Sequence, residues 1–240
     1  MAETAENVAE DYGISRDDQD AFSLRSQQRA AAAIANGVLA EEITAVNVPQ
    51  RKGDPVAVDT DEHPRADSTL EGLQKLRPIV KAGGTITAGN ASGINDAAAA
   101  VLMMGADKAK ELGLEPIVKI RAFAAGGVDP AYMGLGPVPA VRKVLKAAGM
   151  TLNDIDMIEL NEAFAAQVLA DGYALKDLGW DWEKVNVNGG AIALGHPLGM
   201  SGARLAITAM DQLHTGGGKL ALCTMCIGVG QGIAMIIERV

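Results

Sequence analysis

An amide, an imidazole and a thiol in the last eighty or so residues are the side chains best suited to acid–base chemistry. Asn161 follows an apolar run and precedes Glu162, His196 lies between a glycine and a proline, and Cys226 closes another apolar run. Short apolar runs of this kind predict strands, so we expect each group where a strand gives way to a loop. Brought together, the three could move a proton and stabilise negative charge on a carbonyl oxygen.

Each group also has a simpler structural interpretation. Cys226 could be a buried thiol that packs as a small hydrophobe. His196 could begin a helix with its ring bonded to the backbone, and Asn161 could cap the helix that follows it. Glycines at positions 228, 230 and 232 would suit an oxyanion hole, because backbone N–H groups without a neighbouring Cβ can face a ligand.

Cys223 and Cys226 have the spacing of a redox or zinc CxxC motif. A redox motif requires a helix N-terminus and a zinc site requires further ligands. The pair lies in a predicted strand, so its two side chains should point to opposite faces, which disfavours both alternatives.

Composition narrows the possible functions. The chain has 240 residues, 48% of them hydrophobic, and a formal net charge of −9, which argues against a nucleic-acid partner. Two cysteines cannot form a disulfide scaffold and suit a reducing compartment. The acidic N-terminus has no signal-peptide pattern, and no apolar run is long enough for a membrane span. We therefore expect a cytoplasmic protein that binds neither nucleic acid nor membrane.

Strand and helix patterns alternate from residue 116 onward, which predicts an α/β fold with a sheet covered on both faces. Residues 3–40 are predicted to be helical, with Ser15 beginning a helix, and residues 49–69 form a long polar loop. A helix is predicted over residues 95–104; it is apolar nearly all round and should therefore be buried. The predicted strands span 43–48, 117–123, 155–160, 219–226 and 231–237; the other predicted helices span 70–76, 138–148, 163–178 and 199–213.

Four segments in order resemble the thiolases, which cleave or form 3-oxoacyl-CoA. They are GNASGIND at residues 89–96, NEAFA at 161–165, GGAIALGHPLG at 189–199 and CIG at 226–228. RKGD at 51–54, DEHPR at 61–65 and CIGVGQG at 226–232 are most similar to the 3-oxoadipyl-CoA thiolases of aromatic-compound breakdown. The resemblance implies a thiolase-like layered α-β-α fold and thiolase-type acyl transfer between CoA thioesters.

The resemblance also implies roles for individual residues. His196 would activate a nucleophilic cysteine and help form a first oxyanion hole, which a water held by Asn161 completes. Cys226 would take or give the proton at the α-carbon of acetyl-CoA, and the Gly228 N–H would contribute to a second oxyanion hole.

Coenzyme A would be a substrate, with no separate cofactor and no metal. The residues that the resemblance assigns to its binding are Arg65 at the nucleotide end, Ser92 at the pantetheine arm, and Ala88, Ala163 and Phe164 along the channel. The expected partners are acyl-CoA, CoA and either further copies of the chain, as a dimer or tetramer, or a complementary N-terminal thiolase half.

The chain departs from the thiolase pattern in lacking the cysteine that forms the acyl-enzyme. By resemblance, residues 1–94 are the latter part of the thiolase loop domain, 95–115 hold a helix that belongs with a missing N-terminal half, and 116–240 are the C-terminal domain. We expect a shortened thiolase that is inactive alone; the alternative is a non-catalytic CoA-binding or assembly fragment. Val229, where the family has glycine, is expected to alter only packing.

Overall fold

A computed structural model describes residues 1–240, and the N-terminal part is helical as predicted. It consists of α1 (Ala2–Asp11), α2 (Arg16–Ala35) and a short 3₁₀ turn at Leu39–Glu42. The Ser15 hydroxyl accepts a hydrogen bond from the Asp18 N–H at 3.1 Å, which confirms the predicted helix start. Such a cap contributes about 1 kcal/mol to helix stability.

The polar loop contains one element that was not predicted. Strand β1 (Val46–Val48) pairs with β2 (Val56–Val58) as a small antiparallel hairpin, and α3 (Leu70–Gln74) follows it. All six hairpin residues are exposed. The alternation of buried and exposed positions that marks a half-buried strand is therefore absent, and the sequence offered little signal for β2.

The predicted helix over residues 95–104 is wrong. Residues 92–105 have no regular secondary structure, and a helix, α4, forms only at Ala106–Glu111. Ile94 is 97% exposed, Leu102 79% and Met103 68%. Most helical stability comes from packing an apolar face, and no element of this chain covers these side chains.

The C-terminal part forms the predicted α/β layers. The sheet has the order β3-β6-β5-β4, with β4 parallel to β5 and both other pairs antiparallel. Its strands are β3 (Val118–Gly127), β4 (Met157–Leu160), β5 (Leu220–Ile227) and β6 (Gln231–Arg239). The helices of this part are α5 (Pro137–Ala148), α6 (Ala165–Ala174), α7 (Ala191–Leu194) and α8 (Ser201–Thr215).

Helices cover both faces of this sheet. Val141 and Val144 of α5 pack in one apolar cluster with Leu222 and Ile236 of the sheet. Leu205 of α8 packs on the other face, in a cluster with neighbouring sheet residues that include Ala221, Cys223 and Ile237. Alternate residues of β5 thus point into separate clusters, as the period of two in a strand requires.

A buried carboxylate ties the helical N-terminal part to the sheet part. Glu162 accepts hydrogen bonds from the Ser26 hydroxyl at 2.6 Å, the Asn186 amide at 2.8 Å and the Ile192 N–H at 3.1 Å. The side chain joins α2, the loop before α7 and α7 itself.

No helix in the structure combines the length and apolar character needed to cross a bilayer.

Candidate active site

Strands β4 and β5 bring Asn161 and Cys226 to the same edge of the sheet. Leu160, the last residue of β4, pairs with Thr224, and the Asn161 N–H donates to the Thr224 carbonyl at 3.0 Å. Cys226 lies two residues further along β5. The carboxyl ends of parallel strands in α/β sheets are where ligands commonly bind.

Asn161 and His196 are in direct contact at this edge. The Asn161 Nδ2 lies 3.3 Å from the His196 Nε2, and both residues are buried. Oδ1 of Asn161 is buried without a hydrogen-bond partner in the protein. The amide can therefore hold the imidazole with its nitrogen while its oxygen remains able to accept a bond from a ligand or a water.

Two backbone features hold His196 in this position. Gly195 follows α7 with φ +93°, a conformation that favours glycine, and a Cβ there would lie 2.3 Å from the Asn95 Oδ1. The His196 N–H donates to the Gly93 carbonyl at 3.1 Å and to the Asn95 Oδ1 at 3.2 Å. The imidazole is thus anchored to the segment that precedes α4.

The ring bonds to side chains at both nitrogens, so the interpretation of His196 as bonded through its ring to backbone is wrong. The His196 Nδ1 lies 2.6 Å from the Ser201 Oγ, and Nε2 faces Asn161. Burial, helped by the nearby Arg204 cation, lowers the pKa of His196 below its ordinary value. The imidazole is therefore neutral at pH 7 and able to accept a proton.

Asn161 does not cap a helix. Helix α6 begins at Ala165, its N-cap residue is Phe164, and no side chain caps it. The simple capping role suggested by the sequence is therefore excluded.

Cys226 is buried in an apolar cluster that includes Ala163, Phe164 and Ile86. Burial raises the pKa of the Cys226 thiol to about 12, so the group is protonated at neutral pH. Cys223 packs in a different cluster on the other face of the sheet, as predicted from its spacing. Both cysteines are free thiols.

Gly228 lies in the turn that joins β5 to β6 and is exposed. A Cβ at this position would meet no atom within 4 Å, so its backbone is open to an approaching molecule. The next residue, Val229, is 79% exposed and has φ +57°. The expectation that Val229 alters only packing is wrong, because a β-branched side chain in the left-handed region strains the backbone.

Three of the five residues predicted to bind CoA lie together beside the Cys226 cluster. The Ser92 N–H and hydroxyl both donate to the Ala163 carbonyl, at 3.0 and 3.1 Å, and Ala91 forms an isolated bridge with Phe164. Ser92 does not cap a helix, since none follows it.

The other two predicted CoA-binding residues, Arg65 and Ala88, are exposed. The Arg65 N–H donates to the Gln27 side chain at 2.9 Å, which places this residue beside α2. The structure contains no group of three or more His, Cys, Asp or Glu side chains that could hold a metal ion.

Sequence reasoning did not single out Asn95 and Ser201, which contact His196, or Arg204, whose charge acts on the His196 ring. The one available signal for Ser201 was its position five residues after His196 at the start of a predicted helix. Asn95 lies 101 residues from His196 in the chain, so no local pattern could pair them.

Comparison with known proteins gives two family matches. The model described as "Thiolase, C-terminal domain" matches residues 114–239, and "Thiolase, N-terminal domain" matches residues 1–107. The "Beta-ketoadipyl-CoA thiolase" of Acinetobacter baylyi is 60% identical over 242 residues, covering 100% of this chain and 60% of that protein. The "Acetyl-CoA acetyltransferase" of Chromobacterium violaceum is 56% identical over 239 residues, with the same coverage of 100% and 60%.

Solved structures share this fold. The crystal structure of the Bacillus anthracis acetyl-CoA acetyltransferase superposes with a TM-score of 0.95 at 44% identity, covering 100% of this chain and 60% of that chain. The 240 residues thus span 60% of the length of the curated relatives that they match.

Proposed function

Because the chain belongs to the thiolase family, we propose that it carries the acid–base part of a thiolase-type acyltransferase site. The reaction would convert a 3-oxoacyl-CoA and CoA into an acyl-CoA and acetyl-CoA, or run in reverse. The observation that supports this most strongly is the contact between Asn161 and His196 at the sheet edge where β5 delivers Cys226.

In the proposed reaction, His196 takes the proton of a nucleophilic thiol through its Nε2. The thiolate attacks the 3-oxo carbonyl, and the developing oxyanion is stabilised by the imidazolium N–H and by a water on Asn161. The buried, unpaired Oδ1 of Asn161 supports this role, because it is an acceptor that can hold such a water.

Cleavage of the bond between C2 and C3 would leave acetyl-CoA as its enolate. Cys226 would give its proton to the α-carbon, and the Gly228 N–H would contribute to stabilising the enolate oxygen. The raised pKa of Cys226 is consistent with this direction, since the thiol begins protonated. The free CoA thiol would then attack the acyl-enzyme thioester and release acyl-CoA.

The nucleophilic thiol is the group that these 240 residues do not provide. The sequence contains two cysteines, and the Cys223 thiol faces the Leu205 carbonyl at 3.6 Å on the other side of the sheet. We therefore propose that the nucleophile comes from polypeptide outside these residues and that the chain alone does not turn over substrate.

Ser92, Ala163 and Phe164 would contact the pantetheine arm, since they lie beside the Cys226 cluster. Ala88 would extend this channel, and the exposed Arg65 would pair with the phosphates at the nucleotide end. The proposed acyl group is 3-oxoadipyl, as the name of the Acinetobacter relative suggests. The proposal includes a cytoplasmic location and assembly as a homo-oligomer or with a complementary N-terminal half.

Thiolysis assays with 3-oxoadipyl-CoA and acetoacetyl-CoA test this function. The chain is assayed alone and mixed with the N-terminal part of the Acinetobacter relative that it does not span. We expect turnover only in the mixture, and faster with 3-oxoadipyl-CoA. Turnover by the chain alone would contradict the missing nucleophile. Calorimetric binding of CoA without turnover in any mixture would instead support a non-catalytic CoA-binding fragment.

A further inference from the structure

We propose that Ser201 is a positioning residue that fixes the proton of the neutral His196 ring on Nδ1. Nε2 is then the unprotonated ring nitrogen, and it is the one that faces this edge of the sheet. The proposal rests on the proposed function only for the identity of that group, a thiol; the position of the proton can be measured independently.

The contacts of the Ser201 hydroxyl are the first observation that supports this proposal. Its hydroxyl oxygen lies 2.6 Å from the His196 Nδ1 and 3.0 Å from the Pro197 carbonyl. A hydroxyl has one proton to donate and two lone pairs with which to accept. A hydroxyl that donates its one proton to Pro197 can only accept from the ring, which places the hydrogen on Nδ1 in the proposed arrangement.

The other side of the ring specifies the same tautomer. The Asn161 amide nitrogen, a donor, faces Nε2 at 3.3 Å, which favours an unprotonated Nε2 that accepts from it. His196 is 5% exposed and Ser201 is 2% exposed, so bulk water does not compete freely for either ring nitrogen. The hydroxyl and the amide therefore act on opposite ends of the ring in the same sense.

This arrangement balances the proton transfers of the proposed reaction. A thiol S–H bond breaks as its proton moves to Nε2, which gives a thiolate and an imidazolium. The imidazolium keeps its Nδ1–H on the Ser201 oxygen, and its new Nε2–H can then donate to an oxyanion. If the resting proton were on Nε2 instead, this nitrogen could not accept the thiol proton.

Nuclear magnetic resonance of the ¹⁵N-labelled 240-residue chain measures the position of the proton directly. The sequence has three histidines, so the His196 ring can be assigned from the signals that disappear in His196→Asn. At neutral pH we expect a protonated, pyrrole-type Nδ1 and an unprotonated, pyridine-type Nε2. A wild-type ring with its proton on Nε2 would overturn the proposal.

Three variants separate positioning from a general structural effect. Ser201→Ala removes one of the two groups that hold the proton on Nδ1 and should shift it partly to Nε2, whereas Ser201→Thr, which keeps the hydroxyl, should retain it on Nδ1. Ser23→Ala is the matched control, because Ser23 is also buried and its hydroxyl also donates to a carbonyl four residues earlier. An unchanged tautomer in a folded Ser201→Ala variant would contradict the proposal.

Failure of this inference can be told apart from failure of the proposed function. A proton on the other ring nitrogen would refute this inference without contradicting the proposal that the complemented chain carries out thiolysis. Absence of thiolysis in every mixture leaves the measured ring tautomer unaffected. If both hold, Ser201→Ala should lower kcat in the complemented assay with the KM for CoA unchanged.

Discussion

Arg204 forms an ion pair with a carboxylate that has no exposed surface. Its guanidinium lies 2.8 Å from the Glu159 Oε2, and the relative exposure of the two side chains is 14% and 0%. The other Glu159 oxygen and one Arg204 nitrogen are buried without a partner. Burial raises the pKa of Glu159 to about 7 in spite of the pair, so the cost of desolvation exceeds the attraction.

Arg204→Met should therefore be strongly destabilising. Removing one partner of a buried pair leaves a carboxylate that is either charged without compensation or forced to bind a proton, which costs up to about 3–5 kcal/mol. Urea denaturation at pH 8, where Glu159 is ionised, measures the change in the free energy of unfolding. Arg142→Met is the control, because Arg142 pairs with Asp177 at the surface and should lose less than about 1 kcal/mol. If both variants lose the same free energy of unfolding, burial does not strengthen the dependence of Glu159 on Arg204.

Glu159 also predicts a pH dependence of stability. An acid whose pKa is higher in the folded than in the unfolded chain binds more protons when folded, so its contribution falls as pH rises. Because the pKa of Glu159 is raised from 4.5 to about 7, the free energy of unfolding should fall by about 3 kcal/mol as the pH rises through this range. Denaturation between pH 4 and pH 8 should show a shallower decline for Glu159→Gln than for wild type; parallel curves would contradict the assignment.

Variants of the two contacting site residues should lower activity in the complemented thiolysis assay. Loss of the general base in His196→Gln should reduce kcat by about 10²- to 10⁴-fold. Asn161→Ala removes the side chain proposed to hold the oxyanion water and should cost about 10²- to 10³-fold. His214→Gln changes an exposed histidine at the end of α8 and should leave kcat unchanged.

Val229→Gly should stabilise the chain. The left-handed backbone of Val229 costs about 1–2 kcal/mol, and glycine removes that strain while losing about 0.5–1 kcal/mol of backbone entropy. A net gain of up to about 1 kcal/mol is expected by thermal denaturation. Val56 is an exposed valine in β2, and Val56→Gly should instead destabilise the chain. If Val229→Gly does not stabilise the chain, the strain proposed at Val229 is wrong.

The exposed apolar segment 94–104 predicts self-association of the isolated chain. Uncovered apolar patches of this kind favour contact with another molecule. Sedimentation should show weight-average mass rising with concentration, and the double variant Leu102→Glu/Met103→Glu should reduce the rise. Ile79→Glu changes an exposed apolar residue outside the segment and serves as the control. A wild-type chain that remains monomeric throughout would contradict this expectation.

The elements that sequence predicted well are those with local signals. Ser15 capped α2 as expected, and the C-terminal strands and helices formed close to their predicted bounds. Local periodicity failed at residues 95–104, because an apolar alanine-rich run becomes a helix only when something packs against it. The strain at Val229 was missed because the sequence gives no φ angle.

For the candidate site, the sequence singled out Asn161, His196 and Cys226 but not the side chains that contact them. Those chemical groups have recognisable types and sit in recognisable motifs. The supporting contacts join distant parts of the chain, as with Asn95 and His196, and depend on the three-dimensional fold. The same limit applies to Arg204, whose partner Glu159 lies on a different element.

The close approach of Asn95 to Gly195 means that residues from both family domains hold His196 in place. Gly93 and Asn95 lie in the region matched by the N-terminal domain, whereas His196 lies in the region matched by the C-terminal domain. A C-terminal domain expressed by itself would lose both acceptors of the His196 N–H. Loosening of the junction between the domains would therefore release the ring from its working orientation, so that catalytic competence would depend on how firmly the two domains are docked.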